Sequence, residues 1–239
     1  MGYLRGSSSG YTVLIGIDIG QTNDPTAIVV GDPEVREEVQ HYNIRYLKRL
    51  PLGTSYPDIV NEIARIVSKI PDPEEEVRLV RWGSFSKRFD THLDIQLYVD
   101  ATGVGKPVVD LLREAIPKEI KKKMEKREIY IHAVYLTGGE ATALERPKYR
   151  DKEIKLPKSY LVSQLKVLFS YNRIHLPDTN EARVLKEELM NYQLKVNEYA
   201  NLEFGAFKVG THDDLTTALG LACIWDYRGD ILVAVLRTY

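Results

Sequence analysis

The sequence predicts a mixed α/β protein: a five-stranded sheet, three antiparallel strands then two parallel ones, flanked by helices. Three observations predict it. Tyr11 to Ile19 is an almost unbroken apolar run rich in β-branched residues, the pattern of a strand buried on both faces. Two more strand-like runs follow at short spacing, as an antiparallel meander requires. Farther on, a strand, a helical segment and another strand succeed one another at crossover spacing, which makes those strands parallel.

Taken in order, residues 1–10 (MGYLRGSSSG) lack periodicity and carry a Ser/Gly tract. They read as a flexible lead-in or cloning remnant, and residues 11–239 as one domain. After the first strand come strands at Thr26 to Val30 and at about Gln40 to Leu50. Residues 55–70 place Ile59, Ile63, Ile66, Val67 and Ile70 at helical spacing, with Ser55 as cap and Pro57 in the first turn. Asp94 to Asp100 is a strand, Gly105 to Ala115 a helix, and Ile129 to Leu136 the fifth strand. Lys158 to Ser170 and Thr179 to Leu189 are amphipathic helices around a short apolar stretch, Ile174 to Leu176. Tyr192 to Val209 suits a hairpin, and a last helix runs from His212 to about Tyr227.

Composition sets the bounds. The 239 residues are 44% hydrophobic, enough for a sizeable core and against general disorder. Lys plus Arg total 33 against 34 Asp plus Glu, so a polyanion-binding coat over the whole surface is excluded, though a local basic groove is not. Cys223 is the single cysteine, which excludes internal disulfides and Cys-cluster metal sites. No apolar run reaches the ~18 residues a membrane span needs.

The chemistry concentrates at three acidic points. Asp18 lies in the first buried strand, on the same face as Gly16 and Gly20, whose missing side chains leave room for an ion or a backbone. Asp100 closes its strand just before a Gly-containing turn, at the carboxyl edge where open α/β sheets bind ligands. Asp213 and Asp214 open the last helix. Asp214 shares the apolar stripe of Ala218, Leu221, Ala222 and Trp225, so it is the better candidate to face the other acids; Asp213 shares a mixed face with Thr217, Gly220 and Ile224. Each point alone has an ordinary explanation: a structural strand acid, a turn former, a helix cap. Together, carboxylates from two strands and a helix would repel unless a divalent cation sat between them. Hard oxygen donors without Cys or clustered His point to Mg²⁺ or Mn²⁺ rather than zinc.

Four segments then carry a family pattern in order: GIDIGQTNDPTAIVV, YVDATGVGKPVVDLL, LPKSYLVSQLKVLFSYNRIHLP and GTHDDLTTALGLA. Together they resemble the nuclease domain of the large terminase subunit of tailed double-stranded DNA viruses, over roughly residues 12–228. The resemblance implies a ribonuclease H-like fold and the cutting of concatemeric viral DNA during genome packaging, in the host cell cytoplasm. It implies two divalent metals held by Asp18, Asp100 and one or both of Asp213 and Asp214, with an ATPase motor domain, a small terminase subunit and a portal protein as partners. In that family the nuclease follows the motor on one chain. Here the only P-loop-like string, Thr102 to Pro107, has Asp100 where the first Gly belongs and Pro107 where Ser or Thr belongs, so it fails the motif. An excised nuclease domain is the expectation.

In a two-metal scheme Asp18 bridges the ions, Asp100 holds one and Asp214 the other, Asp213 assists directly or through water, and His212 orients water or phosphate or shuttles a proton. Lys106, Arg113, Lys155 and Lys158, near the carboxyl edge or in the loop before a helix, are the candidate DNA contacts. Three rivals stay open: a sugar-kinase or actin-like ATPase fragment, suggested by Gly16 to Thr22; a resolvase-like nuclease; and a non-catalytic packaging docking domain.

Overall fold

The computed structural model describes residues 10–20, 24–71, 92–120, 127–138, 153–191, 193–196, 202–205 and 212–224. Strands β1 (Gly10–Asp18), β2 (Ala27–Arg36) and β3 (Val39–Arg49) form the expected antiparallel meander. Helix α1 (Tyr56–Lys69) follows, with the Ser55 hydroxyl accepting from the Asp58 N–H and Pro57 in its first turn. Then come β4 (His92–Asp100), α2 (Gly105–Ile120) and β5 (Arg127–Thr137), the crossover unit, with β4 and β5 parallel.

The remaining elements are β6 (Glu153–Pro157), α3 (Lys158–Ser170), β7 (Ile174–His175), α4 (Asn180–Asn191), the antiparallel pair β8 (Gln193–Val196) and β9 (Leu202–Gly205), and α5 (Asp214–Ala222). The main sheet has seven strands in the order β6-β5-β4-β1-β2-β3-β7, two more than expected. Both additions are edges. β6 pairs parallel with β5, and its alternation of exposed Glu153 and Lys155 with buried Ile154 and Leu156 is only five residues long. Lys155 therefore sits on a strand and not in a loop. β7 is two residues long and is fixed by distant partners: the Arg173 guanidinium donates to the Gln40 carbonyl at 2.6 Å, and the Tyr42 N–H to the Arg173 carbonyl at 2.7 Å.

Other boundaries differ too: β2 runs on to Arg36 and α2 to Ile120, and β4 and β5 begin two residues early. Gly10, read as part of the lead-in, begins β1, while residues 1–9 lie outside the described residues. The last helix starts at Asp214 and stops at Ala222; Trp225 and Tyr227 lie outside the described residues, as do Tyr192, 197–201 and 206–209 of the hairpin segment.

Strand alternation divides the core into two layers. Ile15, Ile17, Ile28, Ile95 and Leu97 pack under α1 and α2 with Ile59, Ile63, Leu112 and Ile116. Leu14, Val29, Tyr98 and Val134 pack on the opposite face with Leu161, Leu165, Leu185, Leu215 and Ala218. β1 is hydrogen-bonded on both sides, parallel to β4 and antiparallel to β2. That central place explains its continuous apolar sequence.

Candidate metal centre

Parallel pairing sets Ile17 opposite Val99, so β1 and β4 end side by side at Asp18 and Asp100. Both acids project from the α5 face of the sheet, the face of Leu14 and Tyr98. Gly16 lets α5 reach them. A Cβ there would lie 1.9 Å from the Ala218 carbonyl oxygen and 2.4 Å from the Ala222 nitrogen, so only a bare backbone fits between helix and strand. The room beside Asp18 thus admits a helix backbone, which brings Asp213 and Asp214 to the strand ends.

A cavity of about 440 Å³ opens at this junction, lined by Asp18, Asp100, Asp213, Asp214, Asp24 and Lys158 among others. Three sequence-distant segments converge there. Burial first and the Asp100 charge second push the Asp18 carboxyl well above the usual carboxylate range, with Lys158 opposing. Burial also raises Asp100, against the Thr102 backbone N–H that donates to its Oδ1 at 2.8 Å.

The two helix acids are held differently. Asp213 occupies the cap position of α5, yet its side chain makes no capping hydrogen bond; its Oδ2 lies 3.0 Å from Lys158 Nζ. Arg49 grips Asp214 through both oxygens, Nε to Oδ2 at 2.7 Å and a terminal nitrogen to Oδ1 at 3.2 Å. Burial raises the Asp214 carboxyl and the Arg49 guanidinium works against that rise. Beneath, Glu188 pairs with Arg49 and accepts from the Thr216 N–H and hydroxyl at 2.9 and 3.1 Å, fastening the first turn of α5 to α4. Burial and the Asp214 charge push Glu188 up to about 7.

No protein-family model and no curated protein sequence matches the chain. Solved structures do. The human cytomegalovirus terminase nuclease domain superposes on 95% of this chain and 86% of its own, with a TM-score of 0.54 at 14% identity. The chain has the ribonuclease H-like fold of a terminase nuclease domain. A manganese-soaked, inhibitor-bound structure of the same viral domain matches 93% of this chain and 85% of its own, also at 0.54 and 14%. The large terminase nuclease of thermophilic phage G20c with bound magnesium matches over 89% and 80%, with a TM-score of 0.48 at 18% identity.

Within this terminase nuclease fold the candidate residues separate into two groups. Asp18, Asp100, Asp213, Asp214 and Lys158 line one cavity. His212 lies beside it, Nδ1 3.5 Å from Asp24 Oδ1. The other cations stand apart from the lining. Lys106 pairs with Glu153 at 2.7 Å and lies 6.0 Å from the Tyr135 ring centre; Arg113 reaches Asp110 at 3.6 Å; Lys155 is exposed on β6.

The donor set suits a hard divalent cation: carboxylates from two strand ends and a helix start, with no sulfur among them. Among the described residues no three acidic, His or Cys groups already form an ion-sized cluster, and Asp213 and Asp214 are each drawn to a cationic side chain. Sequence reasoning missed Asp24, Arg49 and Glu188. For Glu188 a signal existed: it falls on the Ala182 and Leu185 face of α4, where a glutamate would be buried.

Proposed function

We propose that the chain is a divalent-metal-dependent endodeoxyribonuclease that cuts concatemeric viral double-stranded DNA during genome packaging. One observation carries this reading: five aspartates from three segments far apart in sequence line a single cavity at the carboxyl ends of β1 and β4. Asp18, Asp100 and the Asp213–Asp214 pair would hold two ions, Mg²⁺ or Mn²⁺. Bound there, the metals would lower the pKa of a water and stabilise the charge that develops on the scissile phosphate.

The chain's own residues do the positioning. The Thr102 N–H fixes Asp100, and the Arg49 fork fixes Asp214, so both carboxylates are oriented before any ligand arrives. His212, at the rim beside Asp24, would orient water or phosphate. Lys106, Arg113 and Lys155 are the proposed phosphate contacts away from the cavity. The motor domain, small terminase subunit and portal protein are the proposed partners, in the host cytoplasm. Among the described residues no helix is long and apolar enough to cross a membrane.

The test is incubation with supercoiled plasmid and Mn²⁺, with and without chelator, for the wild type and Asp18→Asn. Chelator-sensitive nicking by the wild type alone is expected. No cleavage, or cleavage that survives the substitution, overturns the reading.

A further inference from the structure

Among the described residues Lys158 is the cation lining the pocket, and its position conflicts with a pocket that collects divalent ions. It is the first residue of α3, immediately after β6, and its Nζ lies 3.0 Å from Asp213 Oδ2 in the cavity shared with Asp18, Asp100 and Asp214. An ammonium and a metal ion would compete for the same oxygens, because both are satisfied by carboxylate lone pairs.

The two ion pairs in this pocket are built differently. Arg49 meets Asp214 with a planar, two-point fork and is itself held by Glu188, a side chain only 5% exposed. A guanidinium locked on both sides is a fixed brace. Lys158 meets Asp213 at 3.0 Å with an ammonium on a flexible four-carbon stem, its charge also acts on Asp18 and Asp100, and its side chain is 30% exposed. Such a pair is only modestly favourable and exchanges its partner easily. One pair is built to stay and the other to let go.

We propose that Lys158 is an internal counter-ion: it holds Asp213 while the pocket contains no divalent cation and swings away when one binds. This rests on the metal-binding reading given above. The ammonium offsets the repulsion among the acids in the empty pocket, keeping α5 seated on β1, and it weakens the cation's grip by competing for it. Lys158 thereby sets the divalent concentration at which the site loads.

Calorimetric titration of the full chain with Mn²⁺, without DNA and at fixed pH and ionic strength, tests this on the wild type, Lys158→Met and Lys158→Arg. The neutral variant is expected to bind Mn²⁺ about two- to fivefold more tightly, the scale of a lost, partly exposed ion pair. The arginine variant stays at or below wild-type affinity. Equal or weaker binding by Lys158→Met overturns the proposal, since a merely structural lysine would give that result. Binding by neither protein overturns the metal reading and this proposal with it, whereas wild-type binding without the gain overturns the proposal alone. Should Lys158→Met fail to fold without metal, Lys158→Gln is melted with and without Mn²⁺. A larger Mn²⁺-induced rise in Tm than in the wild type supports the counter-ion role; an equal or smaller rise, or failure to fold in both conditions, overturns it.

Discussion

Asp18 stands in the least favourable electrostatic position in the pocket, since burial and the Asp100, Asp213 and Asp214 charges all disfavour its ionised form. Under the proposed metal role, a cation bound beside it would offset that cost. Asp18→Asn keeps the shape and removes the charge. It is expected to raise the stability of the chelator-treated protein by about 1 to 2 kcal/mol while abolishing plasmid cleavage. Thermal melts in chelator beside the plasmid assay check this; a destabilised variant would contradict it. Glu188 gives a pH signature. Facing Arg49, Asp214 and Thr216, it keeps its proton up to about pH 7 in the folded state, against 4.5 for an ordinary glutamate. Its contribution is therefore fully present below pH 4.5 and is lost as pH rises through 7. Denaturant melts between those values should show metal-free stability falling more for the wild type than for Glu188→Gln, by about 2 to 3 kcal/mol. Parallel pH profiles would refute the assignment.

At the scale of elements, the site depends on how closely α5 sits on β1. The helix touches the strand backbone to backbone at Gly16, so Gly16→Ala cannot be absorbed by a side-chain rotamer. The helix must lift, carrying Asp213 and Asp214 with it. The expected cost is about 3 kcal/mol or more, the upper end for overpacking, with a matching loss of cleavage; a variant of wild-type stability and activity would show that α5 has slack. The pieces of this junction differed in how legible they were. β1, α1 and α3 follow from local pattern: an unbroken apolar run, a Ser55–Pro57 start, and an amphipathic stretch from Lys158 to Ser170. The convergence of Asp18, Asp100 and the helix acids followed from strand order and face alternation. β6 and β7 did not announce themselves, because five- and two-residue edge strands exist only through their partners. The Arg49 brace was equally hidden, its partners Glu188 and Asp214 lying 139 and 165 positions away in sequence. The distinction between the two helix acids was hidden for the same reason. Helical phase placed Asp214 toward the sheet, but which cation holds each acid depends on Arg49 and Lys158.

For the whole molecule, charge balance limits what it can do with DNA. The 33 basic residues are offset by 34 acidic ones, and Lys106, Arg113 and Lys158 already have acidic neighbours. A nearly neutral body exerts little long-range pull on a polyanion, so binding must come from a few local phosphate contacts. With two to four such contacts, affinity should fall about ten- to hundredfold between 50 and 200 mM salt. Weak binding of this kind suits a nuclease to which tethered partners deliver the substrate, because a tether replaces affinity with effective concentration. It also predicts cutting at many sites, since phosphate contacts position DNA without reading its sequence. Plasmid cleavage across a NaCl series at fixed Mn²⁺, followed by sequencing of the ends, examines both points. A steep salt dependence with scattered ends is expected. Cleavage that ignores salt, or that falls at one sequence, would mean that the chain carries a recognition surface of its own.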